Sequence, residues 1–131
     1  MRLLYLWGPV LAHMALIFAA SSRSDTSAVP SAIPDKVMHV AVYAVLGALI
    51  LRAVAGGRRT NVTWSAVLVS ILAATLYGII DEWHQSFVPG RTPDARDVAA
   101  DLAGASVGAI AGVLAARLRA PKRNAAPAGK Q

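Results

Sequence analysis

The chain has 131 residues, 56% of them hydrophobic and only 15% charged, with no cysteine and a formal net charge of +6. This composition is too apolar for an ordinary soluble domain, and the lack of thiols excludes a disulfide framework, a thiolate metal site and a cysteine nucleophile. Nor does the positive charge point to nucleic acid: in a chain built of long apolar runs, what counts is how basic residues divide between two membrane faces.

Four apolar stretches stand out, at about 3–20, 37–55, 62–80 and 98–116. At about 1.5 Å per residue, each makes roughly 27–29 Å of helix, close to the hydrocarbon thickness of a bilayer. The first opens with Arg2 and ends in small residues, so a cleaved signal peptide is its alternative reading. Its apolar run is longer than most signal cores, which favours a span. Gly8-Pro9 is expected to bend it, because proline removes a backbone donor. His13, in its middle, reads as an interhelical hydrogen-bond donor. The six-residue connection 56–61 makes the second and third spans antiparallel neighbours. In the fourth, Gly104, Gly108 and Gly112 repeat every four positions and form one stripe where a neighbouring helix can approach closely.

Nine basic residues (Arg2, Arg52, Arg58, Arg59, Arg117, Arg119, Lys122, Arg123, Lys130) fall near the amino terminus, in loop 56–61 and in the tail, or beside them. Only four (Arg23, Lys36, Arg91, Arg96) fall in the other two loops. The positive-inside rule then places both termini in the cytoplasm. The sequence thus predicts an all-α membrane protein: a four-transmembrane-helix bundle over 1–116 in the inner (cytoplasmic) membrane, followed by a basic, disordered tail over 117–131 that touches inner-leaflet lipid. All seven acids lie toward the outer side.

The two outer loops are long, and long ordered loops tend to carry function. Before the second span, Asp35 and His39 are four apart and share a helix face, which Tyr43 continues one turn deeper; Lys36 sits beside them. After the third span come Asp81, Glu82, Trp83, His84 and Gln85. Acids at a helix carboxyl end oppose the dipole, so a cation, Arg91 or a ligand is expected to offset them. Trp83 and Phe87 read as interface anchors. Pro89-Gly90 turns the chain to present Arg91, and Thr92-Pro93 reads as N-cap and first residue of the fourth helix. Asp94, Asp97 and Asp101 share one face of that helix. Asp101 lies inside the apolar span and needs a partner, for which Arg91, Arg96, Lys36 and His39 are the candidates.

The pieces SSRS (21–24), PDKVMH (34–39) with Tyr43 and Gly47 following, and YGIIDEWHQSFVPGRTPDARDV (77–98) resemble the VanZ-like family of small bacterial membrane proteins. They cover the three spans from the second onward and both outer loops. The resemblance implies a multi-pass protein of the cell envelope, and the founding member is associated with tolerance to the glycopeptide teicoplanin. It supplies no chemical mechanism. One departure is visible: the family pattern usually has asparagine where this chain has Asp101.

Three classes of function fit these residues. The first is a non-catalytic outer pocket for a lipid headgroup, cell-wall precursor or glycopeptide, lined by Asp35, Lys36, His39, Tyr43, Asp81, Glu82, His84, Gln85, Arg91, Asp97 and Asp101, with Arg91, Lys36 and His39 holding an anionic group. The second is an enzyme on a phosphorylated or acylated lipid-linked substrate, drawing on His39, Asp81, Glu82 and His84. There His39 or His84 is base or nucleophile, oriented by Asp35 or Asp81. No nucleophile–base pair is evident in the sequence, so catalysis ranks second. No cofactor is expected; a divalent cation on Asp81, Glu82 and Asp97 is a variant of the catalytic reading without a metal motif. The third is a transporter or proton-linked channel component, whose pore would be thin unless the chain forms a homo-oligomer.

Overall fold

The computed structural model describes residues 1–24, 34–58 and 61–118. Four helices run through them: α1 (Arg2–Ser21), α2 (Asp35–Val54), α3 (Trp64–Gln85) and α4 (Ala95–Leu118). All four are long and apolar enough to cross a membrane. Large apolar side chains such as Leu11, Val45, Leu72 and Val107 stand exposed on every helix, as they must where lipid rather than water is the solvent. The chain is a multi-pass helical membrane protein. From residue 119, the expected tail lies outside the described residues.

The α2–α4 pair is the heart of the bundle. A Cβ on Gly104 would collide with the backbone at Val40, and one on Gly108 with the backbone at Ala44. Gly47 returns the arrangement against Ala105, where a Cβ would fall 2.9 Å from the Ala105 Cα. The Val40–Gly104 and Ala44–Gly108 contacts ascend together along both helices, so α2 and α4 run parallel with backbones in direct contact. Dispersion between close backbones holds helices together where the hydrophobic effect is absent. At Gly112 the neighbour is only the Leu51 side chain, and there a shallow groove opens between the helices beside Arg52 and Arg58. Helix α3 packs on both α4 and α2, and α1 on α2 and α3.

Local chemistry fixes the ends. Pro9 lies within α1 and has no N–H for the Tyr5 carbonyl one turn back; Arg52 Nη1 donates to that oxygen instead at 3.2 Å, with its guanidinium 4.4 Å above the Tyr5 ring. Helix α2 stops because Gly56, at φ 63°, takes the left-handed conformation that lets its N–H reach the Ala53 carbonyl and the Gly57 N–H the Arg52 carbonyl, at 2.9 and 2.8 Å. Thr63 caps α3, its hydroxyl oxygen accepting the Ala66 N–H at 3.2 Å. His13 Nε2 donates to the Val42 carbonyl at 3.0 Å, the interhelical bond expected of it, and the Tyr77 hydroxyl donates to the Met14 carbonyl at 2.7 Å.

The cap of α4 differs from the expectation. Asp94, not Thr92, is the capping residue: its carboxylate accepts the Arg96 N–H at 2.9 Å and its carbonyl the Asp97 N–H at 2.8 Å. The reason lies on α3, where the Glu82 carboxylate accepts the Asp94 N–H at 2.9 Å and holds that residue out of the helix.

Candidate functional site

The polar residues gather at one end of the bundle, where α1 and α3 finish and α2 and α4 begin. Asp35, His39 and Tyr43 lie on successive turns of α2, and exposure falls steeply along this line. The Asp35 side chain is 68% exposed and that of His39 17%, while Asp101, the partner of His39 on α4, is 1% exposed. His39 Nδ1 donates to Asp101 Oδ1 at 2.8 Å. Its Nε2 faces Asp97, 4.0 Å from Oδ1, and its ring lies parallel to that of Tyr43 at 6.4 Å. Of the four candidate partners for Asp101, His39 is the one that reaches it. The carboxylate that orients this imidazole is therefore Asp101 and not Asp35, because only a neighbouring helix can present an acceptor from the inner side.

Lys36 is engaged inside the protein. Its ammonium donates to Asp94 Oδ2 at 2.9 Å and to Asp97 Oδ1, and it lies 4.0 Å from Asp35 Oδ2. Outside the spans, Asp94 is held below the ordinary carboxyl range, first by the Arg96 N–H and then by Lys36.

On α3 the helix continues through Asp81 and Glu82 to Gln85, and all three are buried. Ser21 at the end of α1 donates to Asp81 Oδ2 at 2.7 Å, and Gln85 Nε2 donates to the same oxygen at 3.1 Å. Among the described residues, neither Arg91 nor another cation hydrogen-bonds Asp81 or Glu82. Their partners are neutral: a hydroxyl, an amide and, for Glu82, the Asp94 N–H.

His84 departs from its expected place. It bonds Ser22 rather than Asp81: Ser22 Oγ gives its hydrogen to the Phe18 carbonyl at 2.7 Å, so the 3.0 Å contact requires His84 Nε2 to donate. The Phe18 ring lies 4.4 Å from the imidazole. With α3 continuing as a helix, His84 points outward to α1 while Asp81 points inward, so the two do not meet. Trp83 and Phe87 stand exposed in an edge-to-face pair at 5.2 Å, suited to an interface.

The Arg91 side chain, in the α3–α4 loop, makes no hydrogen bond or ion pair among the described residues, and its Nε is buried. The carboxylates expected to hold a divalent cation, Asp81, Glu82 and Asp97, are not the set that converges. Asp35, His39 and Asp97 instead bring ligand atoms within 4.8 Å of one another, with the Lys36 ammonium already on Asp97.

Sequence reasoning missed Ser21, Ser22 and Gly78. A Cβ on Gly78 would overlap the Asp101 carboxylate, so this glycine makes the space that Asp101 fills. The signal was present: Ala74, Gly78, Asp81 and Gln85 recur at helical spacing on one buried face of α3.

Fold and site define a four-span membrane protein whose bundle is closed at one end by a layer of buried acids, an imidazole and an internally engaged lysine. A sequence model described as VanZ/LLP1 matches residues 6–116, from the first turns of α1 to the last turn of α4, and the chain belongs to that family. No curated protein matches the chain, and no solved structure does.

Proposed function

We propose that this is an envelope protein of the cytoplasmic membrane that binds an amphiphilic cell-wall ligand, a lipid-linked precursor or a glycopeptide, at its polar end. In this reading the polar end faces outward, both termini are cytoplasmic, and the binding contributes to glycopeptide tolerance. The carrying observation is Arg91, a half-buried residue in the loop at the polar end of the bundle, whose side-chain Nε is buried and unpartnered. An unpaired donor in that position costs about 1–3 kcal/mol, which an anionic ligand would offset. Lys36 is engaged with Asp94 and Asp97, so of the two loop cations expected to hold the anion Arg91 is the one left open. The surrounding acids make a purely anionic ligand unfavourable. They suit one that also carries an amine, as peptide-bearing precursors and glycopeptides do.

The test is binding to purified protein in lipid nanodiscs, with a lipid-linked precursor and with teicoplanin as separate probes. Arg91→Ala is expected to weaken binding at least tenfold, with Arg96→Ala as the exposed control. Equal binding by both variants would exclude Arg91 as the anchor.

A second reading rests on the His39–Asp101 pair. A buried carboxylate fixing Nδ1–H leaves Nε2 turned toward the mouth as a base, the arrangement a membrane enzyme on a phosphorylated or acylated lipid would use. Turnover of the lipid-linked precursor, followed by mass spectrometry and abolished in His39→Ala, would favour this reading. Binding without turnover in the wild type favours the first.

A further inference from the structure

Beneath the mouth, two carboxylates each keep one oxygen buried and without a hydrogen bond: Asp81 Oδ1 and Asp101 Oδ2. A third buried polar atom, the Tyr43 hydroxyl, is unpartnered as well, on a side chain that is 98% buried (2% exposed). They come from three helices, each near the polar end. Counted from the helix ends at 1.5 Å per residue, Tyr43 lies about 12 Å down α2, Asp101 about 9 Å down α4 and Asp81 about 6 Å down α3. Geometry links them: the Tyr43 ring lies parallel to that of His39 at 6.4 Å, and His39 bonds Asp101, whose other oxygen lies against Gly78, one turn before Asp81 on α3. Gly78 gives Asp101 its space on the α3 side.

Charge makes the arrangement informative. Asp81, Glu82, Asp97 and Asp101 are all buried, and the basic side chains facing them are the Lys36 ammonium, on Asp97, and the His39 imidazole, on Asp101. Asp81 has only neutral donors. The other titratable groups in this layer are Glu82 from α3 and Asp97 from α4, while the Tyr77 hydroxyl of α3 is given to the Met14 carbonyl; α1 brings the Ser21 hydroxyl. An excess of buried carboxylate in a membrane bundle is expensive unless a positive charge joins it.

We infer that Asp81, Asp101 and the Tyr43 hydroxyl form a binding site for one small monovalent cation, a proton or a sodium ion, where α2, α3 and α4 meet. The bare oxygens are hard, anionic or neutral oxygen donors. No soft ligand is present, so transition metals are poorly matched. The site is separate from Arg91 and does not depend on the ligand reading above.

The experiment uses the full chain in nanodiscs at neutral pH, with sodium chloride or choline chloride at equal ionic strength. If sodium is the occupant, it raises Tm relative to choline. Asp81→Asn and Asp101→Asn abolish the shift, and Tyr43→Phe raises the half-saturating sodium concentration about tenfold, as expected for one lost polar contact to a charged partner. If the occupant is a proton, infrared difference spectra in choline show a protonated carboxyl at neutral pH that Asp81→Asn or Asp101→Asn removes. Should the asparagine variants fail to fold, the wild-type sodium shift and carboxyl band, with Tyr43→Phe, still decide. A wild-type protein with neither a sodium-dependent shift nor a protonated carboxyl at neutral pH would overturn the inference.

Discussion

Asp101 enters the bundle with His39 on one oxygen and Gly78 against the other, so its position depends as much on an absent side chain as on a present one. Gly78→Ala places a methyl group into the carboxylate, and overpacking of this kind costs about 1–3 kcal/mol. The expected outcome is a clearly lower Tm in detergent, while Gly8→Ala, where no atom lies within 4 Å, leaves Tm unchanged or slightly higher. Asp94 supplies a pH test at the mouth. Its folded carboxyl is held below the ordinary value of 3.8, so the stability it contributes is fully present above that value and lost as pH falls through the lower, folded value. Amide exchange at Arg96 should therefore speed up as pH is lowered below 3.8, beyond the intrinsic trend, and in Asp94→Asn that extra dependence should vanish. At this scale the sequence was legible in kind. A carboxylate at position 101 needs a partner inside a membrane, and His39 was among the four candidates. Which candidate succeeds depends on the α2–α4 register, and the spacing within either helix does not specify it.

The helix pairing shows the same boundary one level up. The period of four at Gly104, Gly108 and Gly112 announces a close approach, and the lengths of the apolar runs announce four spans. The short loop 56–61 names α3 as the neighbour of α2 in sequence, yet the closest partner of α2 is α4, which no loop adjacency reveals. Gly47 makes the difference, because its reciprocal contact at Ala105 lets two backbones meet. The cap of α4 was misread for a related reason: Thr92-Pro93 is a plausible local start, and only the Glu82 bond to the Asp94 N–H, across twelve residues of sequence, moves it. The seam predicts a graded response. Gly104→Ala and Gly108→Ala meet backbone that cannot yield and should each destabilise by about 1–3 kcal/mol or more. Gly112→Ala meets the tip of Leu51 and should cost less than either. Thermal melts of the three variants in one detergent check the ranking, and equal losses at all three would contradict a backbone seam.

Across the whole molecule, charge is sorted by end. Arg2, Arg52, Arg58 and Arg117 sit at the end where α2 finishes. There Arg2 Nη2 donates to the Gly56 carbonyl at 3.2 Å, and the Arg117 guanidinium lies 5.8 Å from the Trp64 ring. The acids collect at the other end, with Lys36 engaged among them. The positive-inside bias weighs lysines and arginines rather than net charge, and more of them lie at or beside the basic end. The polar site should therefore face outward. The chain has no cysteine, so single cysteines report without background. In intact cells, a membrane-impermeant maleimide should label Ser86→Cys, one residue past α3 at the polar end, and leave Asn61→Cys unlabelled until the membrane is opened. The reverse pattern would put Arg91 and the His39–Asp101 pair on the cytoplasmic side, out of contact with extracellular glycopeptide, and the ligand would then have to come from within the cell.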